Sequence, residues 1–306
     1  MTYDIGFLGY GFMGKAHASA LDRLQMFFPD APTTNRDVLI GRNEDAVTEA
    51  ADRLGFDRVA TDWRTAVTDV DVFCNLGPNH IHADPVIAAL ESDVHVLCEK
   101  PLALDSKTAI KMRDAARRSN ATAATSFNYR YLPAVQLMKQ FIDEGALGDI
   151  YRVKGRYNQD WLADPEAAWD WRCEEDIAGS GVVGDVGSHI IDLAQWIVGD
   201  IESIAGSLTT HITERPAPDQ DGSRAVTTDD EYSALVRFEN GAEGILVGLR
   251  VATGRKADNS IEIYGSDGAI LFSLRQLNEL RYKSTDDRAY QQLLFTEPDD
   301  PYMDAW

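Results

Sequence analysis

An apolar run, Ile5-Gly6-Phe7-Leu8, stops at Gly9, and Gly9, Gly11 and Gly14 then form a G-x-G-x-x-G before a helical pattern over residues 15–28. Few patterns constrain a chain more. The first glycine suits a tight strand-to-helix turn, the second lets the backbone approach a pyrophosphate, and the third lets the helix pack close to its strand. The helix start adds free N–H groups and a positive dipole end, so the segment reads as a dinucleotide site, not a purely structural glycine turn.

The chain beyond this turn supports that reading. Strand-like runs at 5–8, 38–40, 72–76, 94–97 and 123–126 alternate with helical patterns at 15–28, 44–54, 80–90 and 106–118. Such alternation predicts a parallel sheet with helices on both faces and a ligand at the C-terminal strand ends. The Gly9–Gly14 turn, Gly77-Pro78-Asn79 and Glu99-Lys100-Pro101 all fall there. After a helix predicted at 132–143 the pattern changes to strand-like runs at 150–157, 201–212, 232–238, 243–251, 260–264, 269–273 and 280–283. Asn240-Gly241 and Ser266-Asp267-Gly268 read as hairpin turns, and residues 214–228 as a surface loop. The expected fold is an α/β dinucleotide-binding domain over 1–126, then an α+β domain over 127–306 with a mostly antiparallel open sheet and one long helix near 182–197.

Two constellations carry chemistry. Lys100 comes after the strand at 94–97, where an ammonium can donate a hydrogen bond to the reacting oxygen of a substrate lying on nicotinamide. The competing reading is an ordinary exposed lysine before a helix-starting proline, and Lys100–Pro101 is a candidate cis peptide. The second constellation is Gly179-Ser180-Gly181-Val182-Val183-Gly184-Asp185-Val186-Gly187-Ser188-His189-Ile190-Ile191-Asp192. On an α-helix Asp185, His189 and Asp192 share one face, beside an apolar face of Val186, Ile190, Leu193, Ala194 and Ile197. A histidine between two carboxylates is a tunable proton acceptor, and the preceding glycines would let the helix start approach a ligand. A satisfied core histidine is the plainer alternative. A metal site lacks a second histidine or carboxylate cluster, so none is expected. His80 and His82 come after the strand at 72–76, in a loop expected to line the nicotinamide ribose.

Composition excludes other classes. With 29 basic against 50 acidic residues the net charge is −21, which argues against nucleic acid and anionic membrane surfaces. Eight lysines against twenty-one arginines, and about twice as many aspartates as glutamates, suggest a protein adapted to a high-salt cytoplasm. No apolar run is long enough to span a bilayer, and the first strand begins too early for a signal peptide. Cys74, Cys98 and Cys173 are scattered and read as small fillers, and the chain reads as cytoplasmic.

Taken together, Gly9–Gly14, Cys98-Glu99-Lys100-Pro101, Phe127-Asn128-Tyr129-Arg130, Trp171-Arg172 and Asp185-x-Gly187-x-His189-x-x-Asp192 resemble the Gfo/Idh/MocA family of nicotinamide-dependent sugar and cyclitol oxidoreductases, over essentially the whole chain. The resemblance implies a Rossmann domain followed by a sheet domain that often forms the oligomer interface, here a dimer or tetramer. It implies a catalytic group of Lys100, Asp185 and His189 acting on one carbon. His189 takes the hydroxyl proton as hydride leaves for nicotinamide, Lys100 polarises that oxygen, and Asp185 holds substrate or positions the histidine. Cofactor contacts are expected from Gly9, Tyr10, Gly11, Phe12, Met13 and Gly14, from Gly41, Arg42 and Asn43, from Leu76, Gly77, Pro78, Asn79 and His82, and from Glu99, Lys100, Asn128, Trp171 and Arg172. Substrate contacts are expected from Lys100, Asp160, Trp161, Arg172, Asp185 and His189. The substrate implied is a cyclitol, monosaccharide or anhydrosugar. Alternatives are an NAD-dependent glycoside-cleaving enzyme of the same fold and a cofactor-binding regulatory protein without catalysis.

Two departures stand out. The second strand ends in Ile40-Gly41-Arg42-Asn43, without the usual acidic residue for the ribose 2′-hydroxyl. An arginine there can clamp a 2′-phosphate, so of NAD(P) the NADP form is the favoured expectation; an arginine stacked on adenine would suit either form. The chain also ends at Trp306, where such proteins commonly continue, so a truncated or a naturally short chain is expected.

Overall fold

The computed structural model describes residues 1–219, 221–295 and 303. The chain divides into two compact units, Met1–Ser126 and the remainder from Phe127 onward.

The first unit runs β1 (Thr2–Leu8), α1 (Phe12–Phe27), β2 (Thr33–Ile40), α2 (Glu44–Leu54), β3 (Arg58–Ala60), β4 (Val72–Asn75), α3 (Ala83–Glu91), β5 (His95–Cys98), α4 (Ser106–Arg118) and β6 (Ala123–Thr125). The strands form one sheet in the order β3-β2-β1-β4-β5-β6, every pair parallel. Strand parity explains why both faces are covered. Ile5, Phe7, Leu39 and Cys74 pack with Ala18 of α1 and with Val47, Ala50 and Ala51 of α2. Leu8, Val38, Ile40, Phe73 and Val96 point the other way, onto Val86 and Leu90 of α3 and Met112 and Ala115 of α4. Each large apolar side chain buried this way contributes about 1.5–3 kcal/mol. The chain order reverses between β1 and β4, which puts the topological switch point at the glycine turn. The three-residue edge strand β3 carries too little apolar periodicity to be read from sequence.

The second unit runs α5 (Pro133–Asp143), β7 (Ile150–Asn158), the single turn α6 (Glu175–Ala178), a π-helical turn over Val183–Gly187, α7 (Ser188–Val198), and strands β8 (Ile201–Thr209), β9 (Glu214–Pro216), β10 (Ser223–Ala225), β11 (Glu231–Phe238), β12 (Glu243–Leu249), β13 (Asp258–Gly265), β14 (Gly268–Ser273), β15 (Glu279–Ser284) and β16 (Gln291–Leu294). Among the described residues eight strands form a sheet in the order β16-β15-β14-β13-β7-β12-β11-β8, antiparallel except for β7 beside β12. The expected apolar face of α7 packs on it: Val186, Ile190, Leu193, Ala194 and Ile197 join Val153, Tyr157, Tyr232, Val236, Leu246, Ile261 and Ile263 in one core. The opposite face of the sheet carries exposed Leu235, whereas exposed Ile204 and Leu208 of the edge strand β8 pair with Val236 and Tyr232 and so lie on the α7 side.

Residues 214–228, expected as plain loop, contain β9 and β10, which pair as a two-stranded ribbon. The helix expected to begin at 182 opens as the π-helical turn, whose wider winding changes where Asp185 points relative to His189. The terminal segment that suggested truncation lies, apart from Met303, outside the described residues.

Candidate active site

In the first unit the sheet's C-terminal edge gathers the four segments that carry the sequence motifs. Main-chain bonds continue the ladder past the strand ends: Gly9 N–H reaches Ile40 O at 3.1 Å, Leu76 N–H reaches Leu8 O at 2.8 Å, and Glu99 N–H reaches Asn75 O at 2.9 Å. Gly9 lies at φ +107°, and a Cβ there would press on the Leu76 carbonyl, so only glycine fits. A Cβ on Gly11 would meet nothing within 4 Å. The helix α1 that starts beside it has no side-chain cap and no acidic residue in its first turn. An uncapped N-terminus with an open approach at a glycine is the chemistry a pyrophosphate requires. The ring of Tyr10 lies against Gly41, where any side chain would collide with it. Arg42 is exposed, and its charge, after the larger effect of burial, depresses the His80 imidazole. Asn43 caps α2 by accepting the Ala46 N–H at 2.9 Å.

The other two loops are tied together by His82. Expected to line the cofactor, it is instead fully buried, with Nδ1 3.0 Å from the Pro101 carbonyl and Nε2 3.0 Å from the Gly77 carbonyl. Its place is beneath the loops, which it can shape but from which it cannot touch a ligand. Burial holds its pKa below the usual histidine range, against the raising effect of the carbonyls of Gly77, Pro101 and Leu102. Lys100–Pro101 is cis, as the sequence suggested. The Glu99 side chain also turns inward: His17 Nε2 lies 2.9 Å from it and Lys100 N–H donates to it at 3.2 Å. Burial raises the Glu99 carboxyl, but hydrogen bonds from His17, Lys100 and Ser126 outweigh it and hold the net pKa low. The thiols of Cys74 and Cys98 are buried and pushed up, Cys74 to about 12, which leaves them inert.

In the second unit His189 is 9% exposed and sits in an aromatic cage. The ring centroid of Tyr129 is 4.7 Å away, that of Phe127 5.9 Å and that of Tyr157 6.0 Å. The two tyrosine hydroxyls bond to each other at 2.8 Å. Burial, and after it the negative charge of Asp185 among other neighbours, raises both phenols, so neither ionises in the ordinary range. Asp185 is therefore near this cage and only half-buried. Asp192 has a different partner from the one expected. Both its oxygens accept from Arg130, Nε at 2.8 Å with Nη2 on the second oxygen, and this guanidinium also lies over the rings of Phe127 and Trp196. It orients the cage instead of serving the imidazole as a second carboxylate.

The helix start after Gly179 does not face a ligand as anticipated. The Asp229 carboxylate accepts from Gly181 N–H at 2.7 Å and Val183 N–H at 2.9 Å, and its carbonyl accepts from Val182 N–H at 2.9 Å. A Cβ on Gly181 would collide with that carbonyl, so the glycine serves an internal contact. Of the expected sugar-facing residues, the Arg172 guanidinium lies 4.4 Å from the Trp171 ring and 5.8 Å from the Trp161 ring, and Lys256 holds Asp160 at 2.9 Å. Tyr157 and Asp229 carry no recognisable motif. Tyr157 could have been found only from its inward parity in β7, shared with Val153 and Gly155. No group of three His, Cys, Asp or Glu residues among those described is arranged to hold a metal ion, and none of their helices is long and apolar enough to cross a membrane.

Comparison with known proteins agrees with this geometry. Residues 3–127 match the model of an oxidoreductase family with an NAD-binding Rossmann fold, and residues 135–271 match the GFO/IDH/MocA C-terminal domain. Levoglucosan dehydrogenase of Pseudarthrobacter phenanthrenivorans is 39% identical over 98% of this chain and 81% of its own length. A solved levoglucosan dehydrogenase in complex with NADH and levoglucosan superposes with a TM-score of 0.95 over 100% of this chain and 83% of that one, at 39% identity. Myo-inositol 2-dehydrogenase of Thermotoga maritima is 25% identical over 95% of this chain and 81% of its own. Identity of this order along both units, on the fold and glycine turn described, means that the chain belongs to the Gfo/Idh/MocA family of oxidoreductases.

Proposed function

We propose that this protein is a nicotinamide-dependent dehydrogenase that oxidises one secondary hydroxyl of a sugar, with an anhydrosugar of the levoglucosan type as its substrate. The observation that carries the proposal is His189, nine-tenths buried among three aromatic rings and one helical turn after Asp185. A desolvated imidazole of this kind takes a hydroxyl proton readily only while a neighbouring carboxylate stabilises the resulting charge. His189 is the proton acceptor, Asp185 steadies it and holds a neighbouring hydroxyl, and Lys100 donates a hydrogen bond to the reacting oxygen. The nicotinamide, when bound, accepts the hydride from the carbinol carbon. Gly9–Gly14 and the α1 amides hold its pyrophosphate, with Gly41 to Asn43, Leu76 to Asn79, Asn128 and Trp171 along its length. Trp161 and Arg172 suit the sugar: an indole face accepts C–H-rich surfaces and the guanidinium donates to hydroxyls. The levoglucosan dehydrogenases at 38–39% identity support the anhydrosugar class.

Arg42 supports NADP as the preferred form, since no carboxylate at the end of β2 repels a 2′-phosphate. Exposed Leu235, with half-buried Ile245 and Val247 beside it on the open face of the sheet, supports a homo-oligomer through that face. The charge of −21 supports work in a high-salt cytoplasm, to be checked by activity and stability against potassium chloride. The main test is formation of reduced nicotinamide across levoglucosan, glucose, xylose and myo-inositol with NAD and with NADP. Turnover on levoglucosan above the other sugars is the expected result. A fully folded, cofactor-binding protein that turns over no polyol or ketose in either direction sinks the proposal.

A further inference from the structure

Segment 228–230 is buried and polar where a sheet domain would be expected to place apolar residues. Thr228, Asp229 and Asp230 are 1%, 7% and 0% exposed. Between them they grip three separate stretches of main chain, at 181–183, at Arg172 and at 211–212. Asp229 binds three successive amides, Gly181, Val182 and Val183, the first two through Oδ1 and its carbonyl and the third through Oδ2. Gly181 O in turn accepts from Asp185 N–H at 3.0 Å, so two hydrogen bonds lead from Asp229 to the backbone of Asp185, and His189 comes one turn later. Thr228 Oγ1 donates to the Arg172 carbonyl at 2.8 Å. Arg250 Nη2 donates to Thr228 Oγ1 at 2.9 Å while its Nε pairs with Asp230 at 2.8 Å.

Resting on the dehydrogenase reading above, we propose that Thr228 and Asp229 are positioning residues, which set the direction of Asp185 and His189 on one side and of Arg172 on the other. A π-helical turn has a poorer intrinsic ladder than an α-helix and needs an outside partner for its first amides. Asp229 supplies that partner as an acceptor of charge-assisted bonds, which are stronger and geometrically tighter than neutral ones. Propensity alone would not hold Gly-Val-Val-Gly-Asp-Val-Gly in this shape, because three glycines in seven residues leave the backbone free. The carboxylate is thus part of the reactive geometry although it touches neither substrate nor cofactor.

The test is Asp229→Asn, an isosteric change that leaves one acceptor and sets an amide donor against Val183 N–H. With levoglucosan, kcat should fall about 10- to 100-fold while the KM for the nicotinamide stays within about twofold. The isotope effect on kcat with ring-deuterated levoglucosan should rise, because hydride transfer becomes slower than product release. A loss of folded enzyme alone leaves that isotope effect unchanged. Amide exchange at 181–183 should quicken by about tenfold with α5 unaffected. Unchanged exchange, or a kcat loss with an unchanged isotope effect, overturns the proposal. Should Asp229→Asn not fold, Thr228→Val decides: it should raise the KM for sugar with the nicotinamide KM constant, and a sugar KM equal to that of the wild type refutes it. Absence of wild-type turnover on any sugar defeats the dehydrogenase reading itself, and the exchange measurement then tests the clamp alone.

Discussion

Replacing Arg250 by methionine should be among the most destabilising single changes in the second unit. The guanidinium is 1% exposed and its partner Asp230 0%. Arg250 donates to Asp230 Oδ1 at 2.8 Å, to Thr228 Oγ1 at 2.9 Å and to the Arg172 carbonyl at 3.3 Å. Methionine fills much of the volume but makes none of these bonds, and it leaves a buried carboxylate without its counter-charge. Breaking a buried pair this way costs about 3–5 kcal/mol. Asp230 keeps two backbone donors on its other oxygen, His211 N–H at 2.8 Å and Ile212 N–H at 2.9 Å, so the lower end, about 3 kcal/mol, is expected. For a unit of this size each kcal/mol shifts Tm by about 2–4 °C, so calorimetry should show a drop of about 6–12 °C. Adding Asp230→Asn to Arg250→Met removes the stranded charge and should recover part of the loss. A drop below about 2 °C, or a double variant as damaged as the two single losses summed, would refute the electrostatic account.

His189→Ala should lower kcat by about 10²- to 10⁴-fold with nicotinamide affinity unchanged, measured by steady-state kinetics and by titration of bound cofactor fluorescence. If affinity falls in parallel, the ring has a structural part instead. Arg42→Ala should reduce kcat/KM with NADP more than with NAD, and equal losses would remove Arg42 from the 2′ position. His82 is depressed in the folded state, so the unfolded chain takes up its proton first. The stability tied to this group is complete above about pH 6.5 and declines as pH falls below it. His82→Gln should therefore flatten the Tm–pH curve between about pH 6.5 and 5, and an unchanged slope would contradict the assignment.

Much of the first unit was readable in the sequence because its signals are local. A glycine that must adopt φ +107° depends on residues a few positions apart, as does strand parity that divides Phe7 from Leu8. Lys100, Asp185 and His189 are proposed from short motifs of the same kind. The apolar side of α7 was equally plain, since periodicity survives the change from π-turn to α-helix.

Tertiary structure decided which polar groups face outward and which are used internally. His82 and Glu99 stand in loops that read as ligand-facing, yet burial and neighbouring carbonyls or donors turn them inward. Asp192 looked like a second carboxylate for His189, and Arg130, 62 residues away in sequence, claims it instead. Asp229 lies 46 and 48 residues from the amides it binds and belongs to no motif. Hydrogen bonds across such separations leave no periodic trace, because the chain between them can take any pattern that folds. A motif names the residue type a site needs, and packing alone determines whether that residue reaches it.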